Sequence, residues 1–153
     1  MPARTLAAEP LLELDNQFCF ALHSAAHRVV RAYRPALSAL DLTYPQYLVM
    51  LVAWQWESER CGAPTVTAMG ERLGLDSGTL TPLLRRLEQK ELITRERSLE
   101  DARQLHVRLT PRGRALRQEA RKVPLSLMKK STVPLQEIID LRDQLKRVRD
   151  ALP

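Results

Sequence analysis

Apolar residues in the first third of the chain recur at steps of three and four: Leu11, Leu14, Phe18, Leu22, Ala25, Val29 and Tyr33. That spacing predicts a helix from Pro10 to Tyr33, closed by a break at Pro35. A second helix is expected from "TYPQYLVMLVAWQW", with Thr43 as N-cap and Gln46 completing a capping box. Its apolar residues run almost all the way round, which suits the buried centre of a fold. "ESERCGAP" reads as a loop.

The middle of the chain changes rhythm. A short helix (Thr67 to Leu73) meets Gly74, and another helix begins near Ser77 and runs to Glu88. Two helices around a glycine turn form a helix-turn-helix. Two strand-like runs come next, around a polar turn. In the second, Leu105, Val107 and Leu109 alternate with outward His106 and Arg108. Such a hairpin after a helix-turn-helix makes a winged helix, in a mainly α fold. Thr110 and Pro111 start a further helix, and Pro124 and Pro134 are expected to interrupt the chain beyond it. The last helix carries Ile138, Leu141, Leu145, Val148 and Leu152 at alternating steps, a narrow seam that needs a partner helix.

Length and composition narrow the class. The 153 residues fit one domain, 44% hydrophobic and 27% charged. No apolar run approaches a membrane span, and the N-terminus lacks a secretory h-region. Two cysteines do not make a disulfide framework, so a cytoplasmic setting is expected. No motif calls for a cofactor. The net charge of +6 is unevenly placed. Asp76 to Lys122 holds 12 Lys and Arg against 7 Asp and Glu, whereas the first 60 residues hold 5 against 6. A polyanion-binding region would be arranged this way.

On the Ser77 helix, Leu80, Leu83, Leu84 and Leu87 share one side. Ser77, Gly78, Thr81, Pro82, Arg85 and Arg86 lie on the other. Short residues at the helix start permit close approach to a major groove, where Thr meets base edges and Arg forks onto guanine or holds a phosphate. In the wing, Arg97 and Arg103 suit a narrow minor groove, with Asp101 placed to orient an arginine. Double-stranded DNA is the expected partner.

The stretch "LGLDSGTLTPLLRRLEQKELI…EDARQLHVRLTPRGRAL" resembles the MarR family of bacterial transcriptional regulators. That resemblance implies a homodimeric winged helix on an inverted-repeat operator. Residues 43–110 would form the DNA-binding region, and 10–40 with 111–153 the dimerisation helices. A narrower likeness lies in "FCFALHSAAHRVVRAYRP" and "LDLTYPQYLVMLVAW", which resemble the organic hydroperoxide resistance regulators. It implies that Cys19 is a redox-sensing thiol, hydrogen-bonded by Tyr33 and Tyr44. Oxidation would release a repressor from the gene of a thiol-dependent organic hydroperoxide reductase. Cys19 and Tyr33 are 14 residues apart, about 21 Å on a straight helix. If they pair, Tyr33 comes from the other subunit.

Phe18, Phe20 and Leu22 would give the thiol an apolar pocket suited to an organic peroxide. A thiolate attacking peroxide yields sulfenic acid, which condenses with another thiol. His23 stands where the branch often has a tyrosine one turn beyond the cysteine. The C-terminal third has no cysteine, so a small-molecule thiol is the expected resolving partner. Cys61 reads as a surface thiol without a role.

Three other readings compete. Cys19, His23 and His27 fall within about 80° of one helix face, but the outer two are about 12 Å apart, too far for one metal ion. An aromatic effector could use Trp54, Trp56 and Tyr47, although core packing suits them as well. A thiol peroxidase would also use Cys19, yet the chain has no CxxC and half its length reads as a DNA reader.

Overall fold

The computed structural model describes residues 12–59 and 62–152. Its elements are α1 (Phe18–Ser38), α2 (Tyr44–Ser58), α3 (Val66–Leu73), α4 (Ser77–Gln89), β1 (Ile93–Arg97), β2 (Leu105–Leu109), α5 (Pro111–Ala120), α6 (Lys122–Lys130) and α7 (Leu135–Ala151). The two strands pair antiparallel, with Ile93 opposite Leu109 and Arg97 opposite Leu105. This is the mainly α winged helix that the pattern predicts.

The first helix differs from expectation at both ends. Pro10 and Leu11 lie outside the described residues, Leu14–Asn16 is a 3-10 turn, and α1 begins at Phe18. It then passes through Pro35 to Ser38. Proline forfeits one hydrogen bond to the preceding turn, but the extra turn buries Leu37 and packs Ala36 on the core. Burial of a leucine is worth about 1.5–3 kcal/mol, enough to offset that loss.

Three helices close in the same way. Leu42 N donates to Leu37 O, Leu75 N to Gly70 O and Leu92 N to Leu87 O, each across a left-handed residue: Asp41, Gly74 and Glu91. Each is a Schellman end, and it turns the next leucine inward. Leu42 and Leu92 are buried and Leu75 is half-buried. Lys90 ties two of these ends together, bonding both the carbonyl and the carboxylate of Asp41.

The core joins α2 to the helix-turn-helix and the wing, through Val49, Met50, Met69, Leu80, Leu84, Leu87, Ile93 and Val107. The α2 capping box is present, Gln46 N donating to Thr43 Oγ1 and Thr43 N to Gln46 Oε1. α3 is capped by Thr65 and starts one residue before the expected Thr67. On α4, Leu83 is only half-buried. In β2, His106 does not point outward: its Nδ1 lies 2.9 Å from Ala63 O, and Val107 N donates to Pro64 O. The segment at Ala63–Thr65 therefore edges the wing and covers that side.

Pro124 does not interrupt the chain as expected. It falls in the first turn of α6, where a missing N–H costs nothing. Pro134 does fall in a break: α6 ends at Lys130, and Pro134 occupies the N-cap position of α7. No residue of α7 is fully buried, and Leu141, Val148 and Leu152 of its apolar stripe are exposed. Among the described residues no helix is long and apolar enough to cross a membrane.

Candidate functional site

Two surfaces carry the residues singled out in the sequence. The first is built on α4. Asp76, missed by the sequence pattern, is its N-cap, accepting from Thr79 N at 2.8 Å and Thr79 Oγ1 at 3.2 Å. These bonds, the backbone one first, hold its carboxyl below the usual carboxylate range. With Leu80, Leu84 and Leu87 buried, the opposite face (Ser77, Gly78, Thr81, Pro82, Arg85, Arg86) is exposed along its length.

The wing is braced against α4 by a fork that the sequence pattern also does not reveal. The Glu88 carboxylate accepts from Arg95 N at 3.1 Å, Nε at 3.1 Å and Nη2 at 2.7 Å. The hydrogen bonds from the Arg95 side chain lower the Glu88 pKa. At the wing tip, Ser98 Oγ accepts from Glu100 N and Asp101 N. Asp101 Oδ1 accepts from the backbone N of Arg103 at 3.0 Å. Asp101 thus shapes the turn rather than orienting a guanidinium as expected, because a short carboxylate reaches the amide two residues on more readily than a long side chain. Arg85, Arg86, Arg97 and Arg103 have no carboxylate partner among the described residues. Four guanidiniums on α4 and the wing are thus uncommitted to carboxylates and free to meet phosphates or base edges.

The second surface lies along α1 and α7. A groove of about 730 Å³ runs between them, lined by Phe18, Leu22 and Val29 on one wall, Ile138, Leu141 and Leu145 on the other, and Tyr44. Cys19 is a free, exposed thiol beside this groove, and its Sγ lies 3.6 Å from Gln17 Oε1. Phe20 is not part of the groove wall, because it lies roughly opposite Phe18 around the helix. Phe18 is 56% exposed, large for a phenylalanine, so the apolar half of this site is open.

Tyr33 and Tyr44 come together. Their rings stack with centroids 6.0 Å apart, and Tyr47 sits 6.4 Å from Tyr33. Burial, with Tyr44 adding to it, raises the Tyr33 pKa, and burial pushes Tyr47 up to about 12. Both hydroxyls therefore stay protonated and able to donate. Tyr33 lies about four turns along α1 from Cys19, too far to reach the thiol of its own chain.

The imidazoles of His23 and His27 touch, with ring centroids 4.3 Å apart. Among the described residues no three His, Cys, Asp or Glu side chains are grouped to hold a metal ion. Trp54 is in the core and donates its indole N–H to Gly113 O at 2.8 Å; Tyr47 is also buried. Trp56 lines a surface groove shared with Glu71 and Arg149. Cys61 lies outside the described residues.

A family model described as the transcriptional regulator SarA/Rot matches residues 31–120. The organic hydroperoxide resistance transcriptional regulator of Bacillus subtilis (strain 168) is 44% identical over 130 residues, covering 83% of this chain and 85% of the relative. Among solved structures, reduced AbfR bound to DNA superposes with a TM-score of 0.73 at 30% identity, covering 94% of this chain and 97% of that one. The overoxidised form of AbfR bound to DNA gives 0.70 at 31% identity, covering 93% and 99%.

Proposed function

Since this chain belongs to the MarR family of winged-helix transcriptional regulators, in the branch of the organic hydroperoxide resistance regulators, we propose that it is a repressor that leaves its operator when an organic hydroperoxide oxidises Cys19. That it is a DNA-binding transcriptional regulator follows from the family. The sensing step rests on one observation above all: an exposed thiol, Cys19, beside an open apolar groove, in a chain 44% identical to an organic hydroperoxide regulator.

The working unit in this reading is a homodimer. The groove and the α7 stripe leave Phe18, Leu141, Val148 and Leu152 open to water, and a second copy would cover them. It would also bring its own Tyr33 and Tyr44 toward Cys19, which Tyr33 cannot reach within its own chain. α4 of each subunit would enter a major groove by Gly78, Thr81, Arg85 and Arg86. Arg97 and Arg103 of each wing would reach the flanking minor groove. Such a pair must stand about 34 Å apart to meet successive turns of an inverted repeat.

Chemistry at the sulfur starts with the thiolate. It attacks the outer peroxide oxygen, the O–O bond breaks, and the alkoxide takes a proton to leave as an alcohol. Donor hydroxyls of Tyr33 and Tyr44 would stabilise the thiolate. The sulfenic acid is then captured by a small-molecule thiol as a mixed disulfide. The solved structure of overoxidised AbfR bound to DNA supports a release step needing more bulk than added oxygen atoms. That bulk, at a subunit junction, would shift one α4 relative to the other.

The test is a gel shift on the promoter beside this gene, with cumene hydroperoxide and a small thiol added to the wild type and to Cys19→Ser. Release of the wild type alone is expected. Equal release of both proteins would end the proposal.

A further inference from the structure

The side of α1 turned away from the groove carries a feature that the α4 and wing surfaces do not use. At about 100° per residue, Phe18, Leu22 and Val29 fall within about 40° on the groove side. His23, His27, Arg31 and Arg34 fall within about 80°, centred about 160° away. Cys19 lies between the two, about 60° from Leu22 and about 40° from His23. All four stripe residues are exposed, and His27, Arg28, Arg31 and Arg34 line a surface cleft of about 450 Å³.

Charge on this face is uncompensated. α1 packs most closely against α6, and neither helix contains an Asp or Glu, although the chain has 18. Of its other neighbours, α2 carries Glu57, paired with Arg114, and the Leu14–Asn16 turn carries Asp15, which forms no salt bridge with the stripe. Elsewhere Arg95, Arg108, Arg112 and Arg114 each pair with a carboxylate. Arg28, Arg31 and Arg34 have no such partner among the described residues. Like charges three residues apart on a helix disfavour it by a few tenths of a kcal/mol per pair. Fold stability therefore does not account for the stripe, whereas a bound anion does.

We propose that the His27–Arg31–Arg34 stripe is a docking site for an anionic low-molecular-weight thiol, which it delivers to oxidised Cys19. The inference rests on the sulfenic acid proposed above and names the chemistry of its partner. His27 lies about 12 Å along the axis from Cys19, and helical side chains lean back toward the N-terminus, so Arg31 reaches toward the sulfur. Arg31 itself lies about 18 Å along the axis and Arg34 about 22 Å, so a thiol of tripeptide size, about 10 Å when extended, bridges to the sulfur only where the Arg31 side chain supplies the rest of the reach. Its carboxylates or phosphates would engage the guanidiniums while its sulfur attacks the Cys19 sulfur. The S–O bond then breaks, the hydroxide combines with the thiol proton as water, and a disulfide remains. The incoming sulfur is oxidised and the sulfenic sulfur reduced. Peroxide would approach from the apolar side and the thiol from the cationic side, so neither blocks the other.

The experiment treats the full chain with one equivalent of cumene hydroperoxide. Mixed-disulfide formation is then timed by intact mass, using glutathione, coenzyme A or neutral 2-mercaptoethanol. In Arg31→Gln/Arg34→Gln, capture of the anionic thiols should slow by about three- to tenfold. Capture of 2-mercaptoethanol should be unchanged, which also shows that the variant is folded. Added salt should slow only the anionic thiols on the wild type, an arm that needs no variant. A charge effect with glutathione alone assigns carboxylate recognition, and with coenzyme A alone phosphate recognition. Equal glutathione and coenzyme A rates in both proteins, without salt dependence, overturn the docking site. Dimedone labelling separates the failures: without a Cys19 adduct both readings fall, and with an adduct but no charge effect only this one does.

Discussion

Replacing Gly113 by alanine would put a methyl carbon 2.0 Å from the Leu92 carbonyl oxygen and 3.0 Å from its carbon. Carbon and carbonyl oxygen come no closer than about 3.3 Å, so α5 and the α4–β1 turn must part by roughly 1.3 Å. Neither side gives easily. Leu92 O also accepts from Thr110 N, and Thr110 Oγ1 donates to Glu91 O. On the other side, Gly113 O accepts the buried Trp54 indole N–H at 2.8 Å, and that bond would stretch beyond reach. An orphaned buried donor costs about 1–3 kcal/mol, and the overpacking itself about 1–3 kcal/mol. Alanine's better helix propensity returns at most about 1 kcal/mol. The expected net loss is about 1–5 kcal/mol, out of roughly 5–15 kcal/mol for a whole domain. For a chain of this size that is a fall of about 2–20 °C in Tm. Urea unfolding at one fixed protein concentration measures it, with concentration held because association shifts apparent stability. A loss below about 1 kcal/mol would refute the clash, and with it the claim that this glycine is needed for close approach.

Two further outcomes test the DNA-reading surface and its brace. Glu88 has a lowered pKa in the fold, so the fork to Arg95 stabilises fully above the unfolded value of about 4.3 and fades as pH falls through the lower folded value. Glu88→Gln should then be less stable than wild type at pH 7 by under about 1 kcal/mol, since both groups are partly exposed. The difference should disappear in urea titrations near pH 3; a gap that persists there would deny the fork its role. Arg85→Ala should cost about 1–3 kcal/mol of operator affinity if it reads a base. Arg103→Ala should instead weaken all sequences alike and reduce the salt slope by about 1 if it holds phosphate, and unchanged binding in both would clear this surface of DNA.

Helix ends are legible in the sequence where the signal is local. Thr43 with Gln46, Thr110 with Gly113, and Gly74 all close or open helices through bonds spanning three to five residues. The alternation in β2 foretold Val107 and Leu109 as core. His106 broke the pattern because Ala63, 43 residues earlier, supplies its partner. Asp41 and Glu91 adopt left-handed turns that a glycine would normally mark. Burial of Leu42 and Leu92 offsets the strain, and that contribution exists only once the helices pack.

The candidate site divides along the same line. Cys19, its apolar neighbours and the Arg-bearing face of α4 could be named from spacing and residue type. The Tyr33–Tyr44 stack, the Glu88–Arg95 fork and the acid-free face shared by α1 and α6 depend on which elements lie side by side. Periodicity along a chain determines which face of a helix is apolar and which is charged, because that is set by 3.6 residues per turn. What each face meets was decided by tertiary packing, since the energy of those contacts comes from residues tens of positions away.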